Sequence, residues 1–88
     1  MSSRKQQLEG LKGTLSKMEW PALYPFKFIV PIEKLDEVLE LFEKAETRTK
    51  ISRKGNYVSV SATPFMYDSE KVIEIYTRAL RIDGLLAL

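Results

Sequence analysis

The order of hydrophobic patterns between Tyr24 and Leu88 constrains the fold more than any other feature of the sequence. The run Phe26–Val30 is rich in strand-forming residues and is bounded by Pro25 and Pro31, which cannot donate to a sheet, so it predicts a first strand. Apolar residues then recur at intervals of three and four, the spacing of an amphipathic helix, at Leu35, Val38, Leu39 and Phe42.

Two further runs favour strands and predict a hairpin. The runs are Thr47–Arg53 and Tyr57–Thr63, and the residues between them include Gly55 and Asn56. A Gly-Asn pair suits a two-residue turn because both positions tolerate the backbone conformation that such a turn requires.

The predicted turn sets a register for this hairpin. Ile51 is expected opposite Val60 and Lys50 opposite Ser61, and directly opposed residues share a face. The inward residues are then Ile51, Val58, Val60 and Ala62. The outward residues are Lys50, Ser52, Lys54, Tyr57, Ser59 and Ser61.

The C-terminal part of the chain predicts one more helix and one more strand. Pro64 ends the third strand, and Asp68 or Ser69 can cap the helix. The apolar stripe of this helix comprises Val72, Ile75 or Tyr76, and Ala79 or Leu80. The run Leu85–Leu88 is too short for a helix and predicts a final strand.

The resulting order is strand, helix, strand, strand, helix, strand. With right-handed crossovers, this order predicts the ferredoxin-like plan of the α+β class, a βαββαβ sandwich. Its four-stranded antiparallel sheet carries two helices on one face and leaves the other face open. We expect a single domain over residues 23–88.

Residues 1–22 differ from the rest of the chain. Leu8, Leu11, Leu15 and Met18 recur at helical intervals, but Gly10 and Gly13 each cost about 1 kcal/mol inside a helix. The sequence therefore predicts a flexible or partly helical N-terminal arm, with a tail favoured over a docking helix.

Composition excludes much chemistry. The 88 residues include no His and no Cys, so the chain has no imidazole base, thiolate nucleophile, disulfide or Cys/His metal site. No spacing of the remaining ionisable groups indicates catalysis. We therefore expect a protein that is not an enzyme, with no cofactor and no metal ion.

The net charge of +2 conceals an acidic segment followed directly by a basic segment. Acidic residues dominate from Glu33 to Glu46, and four basic residues follow without an acid among them, at Arg48, Lys50, Arg53 and Lys54. No run of residues is long and apolar enough to span a membrane, and no apolar signal core is present, so a cytoplasmic location is expected.

Three segments carry a family resemblance: YPFKFIVP from Tyr24, SRKGNYVSVSA from Ser52, and EKVIEIYTRALRIDGLLAL from Glu70. Over residues 23–88 the chain resembles the YbeD-like family of small uncharacterised bacterial proteins. The resemblance implies a fold similar to that of ACT regulatory domains, and it implies no biochemical activity.

That similarity raises a small-molecule effector as one hypothesis. ACT-like domains hold ligands near the turn between the first strand and the first helix, here Pro31-Ile32-Glu33. The turn has no Gly for a close approach and carries an acid where a ligand carboxylate would lie. An ordinary connection is the favoured interpretation. Two other activities of this fold lack their residues: an Arg in this turn for phosphate, and a Cys pair for copper.

A second hypothesis is weak binding of single-stranded RNA on the open face of the sheet. The candidate interaction residues are Lys27, Lys50, Arg53, Lys54 and Tyr57. RNA-recognition sheets stack bases on two or three aromatic residues, whereas this face offers Tyr57 alone. A solvated basic hairpin is the favoured interpretation.

A third hypothesis is self-association. Ile29 and part of Leu85–Leu88 are predicted to be exposed beside Ser59 and Ser61, and the acidic helix could complement the basic hairpin of a second copy. We therefore expect a regulatory or protein-interaction module whose partner is another protein or itself, as a homodimer. RNA binding is the alternative.

Overall fold

The computed structural model describes residues 3–43 and 45–88. Met1 and Ser2 of the predicted arm and Lys44 of the acidic segment lie outside the described residues, as does the side chain of Leu8. The described fold is α+β, with three α-helices and two antiparallel sheets of four and two strands. In chain order the elements are α1 (Ser3–Leu15), β1 (Ala22–Leu23), β2 (Phe26–Pro31), a 3-10 helix (Ile32–Lys34), α2 (Leu35–Glu40), β3 (Thr47–Ile51), β4 (Tyr57–Ala62), β5 (Phe65–Met66), α3 (Ser69–Ala79) and β6 (Leu86–Ala87).

The larger sheet has the strand order β3-β4-β2-β6, and all its neighbouring strands are antiparallel. Side chains alternate along its two central strands, so one face is buried. The buried residues are Phe26, Phe28 and Val30 of β2 with Val58, Val60 and Ala62 of β4. The predicted inward orientation of Val58, Val60 and Ala62 is confirmed. The small sheet, which pairs β1 with β5, was not predicted because two-residue strands leave no periodic pattern.

Helices α2 and α3 contribute to the same core as the buried face of the sheet. Val38 and Phe42 enter it from α2 and the turn that follows. From α3 the buried residues are Val72, Tyr76 and Ala79. Asp68 is the N-cap of α3, because its carboxylate accepts a 2.9 Å hydrogen bond from the backbone N–H of Lys71. No helix within the described ranges is long and apolar enough to cross a membrane.

Helix α1 contacts α3 and is attached to the core at its C-terminal end. Leu15 is fully buried, and Met18 and Trp20 pack partly buried against the core. The indole Nε1 of Trp20 donates to the carbonyl oxygen of Leu15 at 3.2 Å. This burial offsets the propensity cost of the two helical glycines. The division into an arm and a domain at residue 23 stays a prediction.

The predicted register of the hairpin is wrong by two residues. Ile51 pairs with Val58 rather than Val60, and Lys50 pairs with Ser59 rather than Ser61. A shift of two preserves the faces because the side-chain period of a strand is two. Ile51 is nevertheless 58% exposed, so its predicted place in the core is also wrong. It lies at the end of an edge strand.

The error arises in the turn. The backbone N–H of Ser52 donates to the carbonyl of Tyr57, and its side-chain oxygen accepts from the backbone N–H of Tyr57 at 3.1 Å. Gly55 has a positive φ of 78°, whereas Asn56 has a negative one. The loop therefore spans the four residues 53–56, and Arg53 and Lys54 leave the strand.

The burial of Leu15 predicts that α1 stabilises the domain. Leu15→Ala should lower the free energy of unfolding by about 2–5 kcal/mol, since it removes a buried side chain and leaves a cavity. Leu23→Ala is the matched control, because Leu23 is 64% exposed and its truncation should cost less than about 0.5 kcal/mol. Urea denaturation measures both. Equal small effects would show that Leu15 does not pack in the core.

Gly84 is predicted to be required for the approach of β6 to β2. Its φ is +80°, and an added Cβ would lie 2.7 Å from Cγ of Pro31. Gly84→Ala should therefore destabilise the protein by about 1–3 kcal/mol. The control is Gly13→Ala, where a Cβ meets nothing within 4 Å and the helix should gain about 0.5–1 kcal/mol. Thermal and urea unfolding should show that Gly84→Ala is less stable than the wild type and that Gly13→Ala is more stable.

Candidate interaction surface

The face of the four-stranded sheet that points away from the helices carries the predicted interaction residues of the strands. We call it the open face and define it by nine side chains: Lys27, Ile29, Arg48, Lys50, Tyr57, Ser59, Ser61, Leu86 and Leu88. All are exposed or half-buried, because they alternate with the core residues of their strands or continue that alternation. None of the nine is acidic.

Strand pairing arranges these side chains in two rows across the sheet. Ser61 lies opposite Arg48 on one side and Lys27 on the other. The backbone N–H of Leu88 donates to the carbonyl of Lys27 at 2.9 Å, which extends this row to the last strand. The second row runs across the sheet in the order Lys50, Ser59, Ile29 and Leu86.

The two rows give the open face a lateral order. Two cations lie on β3, two half-buried serines on β4, Lys27 and Ile29 on β2, and two leucines on β6 or directly after it. Leu86 and Leu88 are 62% and 65% exposed. Tyr57 pairs with Pro31 and lies at one end of β4, next to the loop. A cationic side, and a second side that is apolar except for Lys27, therefore flank a strip of small residues.

The five sequence-predicted residues divide into two groups. Lys27, Lys50 and Tyr57 lie on the open face, whereas Arg53 and Lys54 are exposed in the loop at its end. Arg48 belongs to the face and was not among the predicted residues. Arg48 lies two residues before Lys50 in the predicted strand, so the two-residue period of a strand places both side chains on the same face.

The part of the acidic segment that forms α2 lies on the other side of the sheet. Asp36, Glu37 and Glu40 are exposed on α2, whose apolar side enters the core beneath the sheet. Lys34 forms a 3.3 Å ion pair with Glu37 there. The helix layer thus presents acidic residues and the open face presents basic ones, in opposite directions.

A cleft of about 790 Å³ lies between the end of α2, the ends of β3 and β4, and α3. Its charged residues are Glu40, Glu43, Glu46, Arg48 and Arg78, and its apolar residues include Phe42, Phe65 and Ile75. Every one of these charged side chains is exposed. Among the described side chains none that is polar or charged is buried, and no group of acidic residues could hold a metal ion. The cleft therefore lacks the converging desolvated polar groups that fix a small ligand.

One phenol is perturbed by its surroundings, and its role is structural. Burial is the main cause that raises the pKa of Tyr76 well above its ordinary value of 10.0, and the hydrogen bond with the hydroxyl of Tyr24 adds to it. The two hydroxyl oxygens are 3.4 Å apart inside the aromatic core. Tyr76 is therefore neutral near neutral pH and is suited to hold α3 on the sheet.

Comparison with known proteins identifies one family for this chain. No curated protein and no solved structure matches the chain significantly. One family model, described as "Protein of unknown function (DUF493)", matches residues 15–86. The matched range begins at Leu15 and includes β2, β3 and β4 in full and the first residue of β6. The chain therefore belongs to this uncharacterised domain family.

Proposed function

We propose that this chain is a non-enzymatic regulatory or protein-interaction module that binds a partner protein through the open face. The observation that carries the proposal is the side-by-side placement of exposed cations and exposed leucines on a face without acidic residues. Solvent-exposed leucines beside charged groups are typical of a protein interface, whose apolar centre has a polar rim.

The architecture that we infer is the ferredoxin-like plan, similar to ACT domains. The strand order β3-β4-β2-β6 and the places of α2 and α3 in the chain support this inference. The resemblance to YbeD-like proteins, and the bacterial, cytoplasmic setting that goes with it, belong to the same proposal. A small-molecule effector has less support, because the turn that would hold it is a proline followed directly by a 3-10 helix.

A binding role fits the chain better than catalysis. With no His and no Cys, an enzyme of this sequence would depend on carboxylates, amines, guanidiniums or phenols. Such groups catalyse reactions when burial and close neighbours shift their pKa values towards working pH. The phenol of Tyr76 is buried beside a close neighbour, Tyr24, but its pKa is shifted upward, away from the working pH.

The open face also favours protein over RNA. Bases stack on exposed aromatic rings, and Tyr57 is the aromatic residue on this face. Phe26 and Phe28, the other aromatic residues of the two central strands, are buried in the core. Ile29, Leu86 and Leu88 contribute apolar area that a phosphate backbone cannot use.

Charge geometry favours a different protein over a second copy. Two open faces in contact would leave the cations of both faces without an acidic partner. Contact between the acidic helix layer of one copy and the open face of another would join opposite sides of the molecule. Such a head-to-tail arrangement does not close into a dimer.

A capture experiment on the full chain tests the proposal. Wild type and the control Lys71→Glu, whose exposed lysine lies on α3, should retain the same partner protein from a lysate of the source cells. Lys50→Glu should lose about fivefold or more of it, since it reverses a charge on the cationic β3 side of the face. Quantitative mass spectrometry, with and without nuclease, measures the retained protein.

Three results would contradict the proposal. Equal retention by Lys50→Glu and Lys71→Glu would move the interaction away from the open face. Loss of the partner after nuclease treatment would favour the RNA alternative. A doubled mass in light scattering that Lys50→Glu abolishes would identify the partner as a second copy. Unfolding curves control for stability, because exposed substitutions of this kind should change it by less than about 0.5 kcal/mol.

A further inference from the structure

The central strip of the open face has the form of a trough. Ser59 and Ser61 are half-buried on β4, while longer side chains stand on both neighbouring strands. Neighbouring strands are about 4.8 Å apart, so β3 and β2 are separated by about 10 Å. This separation matches the diameter of about 10 Å of an α-helix with its side chains.

The length of the trough also suits a helix. The six residues of β4 extend about 20 Å, a length that about 13 residues of α-helix span. Tyr57 stands at one end of this strip, and the Lys27–Ser61 row marks the other. A helix lying along β4 would cover both serines and contact the side chains on each side.

The chemistry of the two sides specifies such a helix further. Arg48 and Lys50 are two residues apart on one face of β3, hence about 6.8 Å apart along the strand. Carboxylates at positions i and i+4 of a helix are about 6 Å apart along its axis. On the other side, Ile29, Leu86 and Leu88 offer a surface for aliphatic side chains, and Lys27 adds one cation beside Ser61.

We propose that the open face binds an acidic amphipathic helix of a partner protein, with a glutamate stripe towards β3 and a leucine stripe towards β6. This inference rests on the proposed function and names the partner class. The absence of acidic residues from the nine side chains makes the face complementary to a negative helix.

The test uses the full chain, isotope-labelled, and a synthetic helix of about 14 residues with adjacent glutamate and leucine stripes. The expected amide shift changes include Lys50, Ser59, Ser61 and Leu86. A peptide of the same composition with its stripes shuffled should bind at least about fivefold more weakly, since only one ordered arrangement matches both sides of the trough. Equal binding by the shuffled peptide would overturn the inference and indicate simple charge attraction.

Two variants sharpen the test. Ser59→Phe should fill the trough and weaken binding about fivefold or more, because the helix could no longer approach β4. Lys50→Glu should weaken binding of the glutamate helix, whereas Lys71→Glu should leave it unchanged. A helix with one lysine in place of the glutamate that meets Lys50 should recover binding to Lys50→Glu. Absence of this recovery, or shift changes confined to the edge of β3, would overturn the inference.

Failure here is distinguishable from failure of the proposed function. If face-dependent capture of a protein succeeds but the striped helix does not bind, the face binds a protein of another kind. If the helix binds with the expected amide shift changes and variant effects, the result supports an acidic amphipathic helix as the class of partner.

Discussion

The ring of Phe26 joins the three parts of this fold. It projects from β2, and its centroid lies 5.3 Å from that of Phe42 after α2 and 5.2 Å from that of Tyr76 in α3. Tyr24, just before the strand, lies 4.9 Å from the same ring. These are ordinary distances for tilted aromatic pairs, each of which adds to the burial of apolar area. Together with Phe28, which also lies near Phe42 and Tyr76, this side chain joins both helix segments to the sheet.

The orientation of Phe26 also determines what the other side of the sheet exposes. With Phe26 and Phe28 inward, Lys27 and Ile29 must point outward, and pairing extends that choice to β4, β3 and β6. The open face is therefore a consequence of core packing. Lys27, Ile29, Ser59 and Ser61 sit on β2 and β4, whose other face is buried in the core, so this part of the surface needs little reorganisation on binding.

The periodic patterns of the sequence were sufficient to predict the helices α2 and α3, the central strands and the two faces of the sheet. The register of the hairpin failed because Gly55-Asn56 fits a two-residue turn locally, while Ser52 closes a wider loop through its own hydroxyl. Lys50, Tyr57, Ser59 and Ser61 point outward as predicted, because the error in register was an even number of residues. Burial of Leu15 and exposure of Ile51 were not predictable from local patterns, since both depend on which elements lie nearby in three dimensions.

Trp20 is an intrinsic fluorescence probe of the region around Leu15, because its indole donates a hydrogen bond to the Leu15 carbonyl oxygen. Trp20 is the single tryptophan of the sequence, half-buried where helix α1 meets the core. Its emission therefore reports on the place where the N-terminal helix meets the core. Detachment of this helix could be followed separately from unfolding of the sheet, which circular dichroism would report.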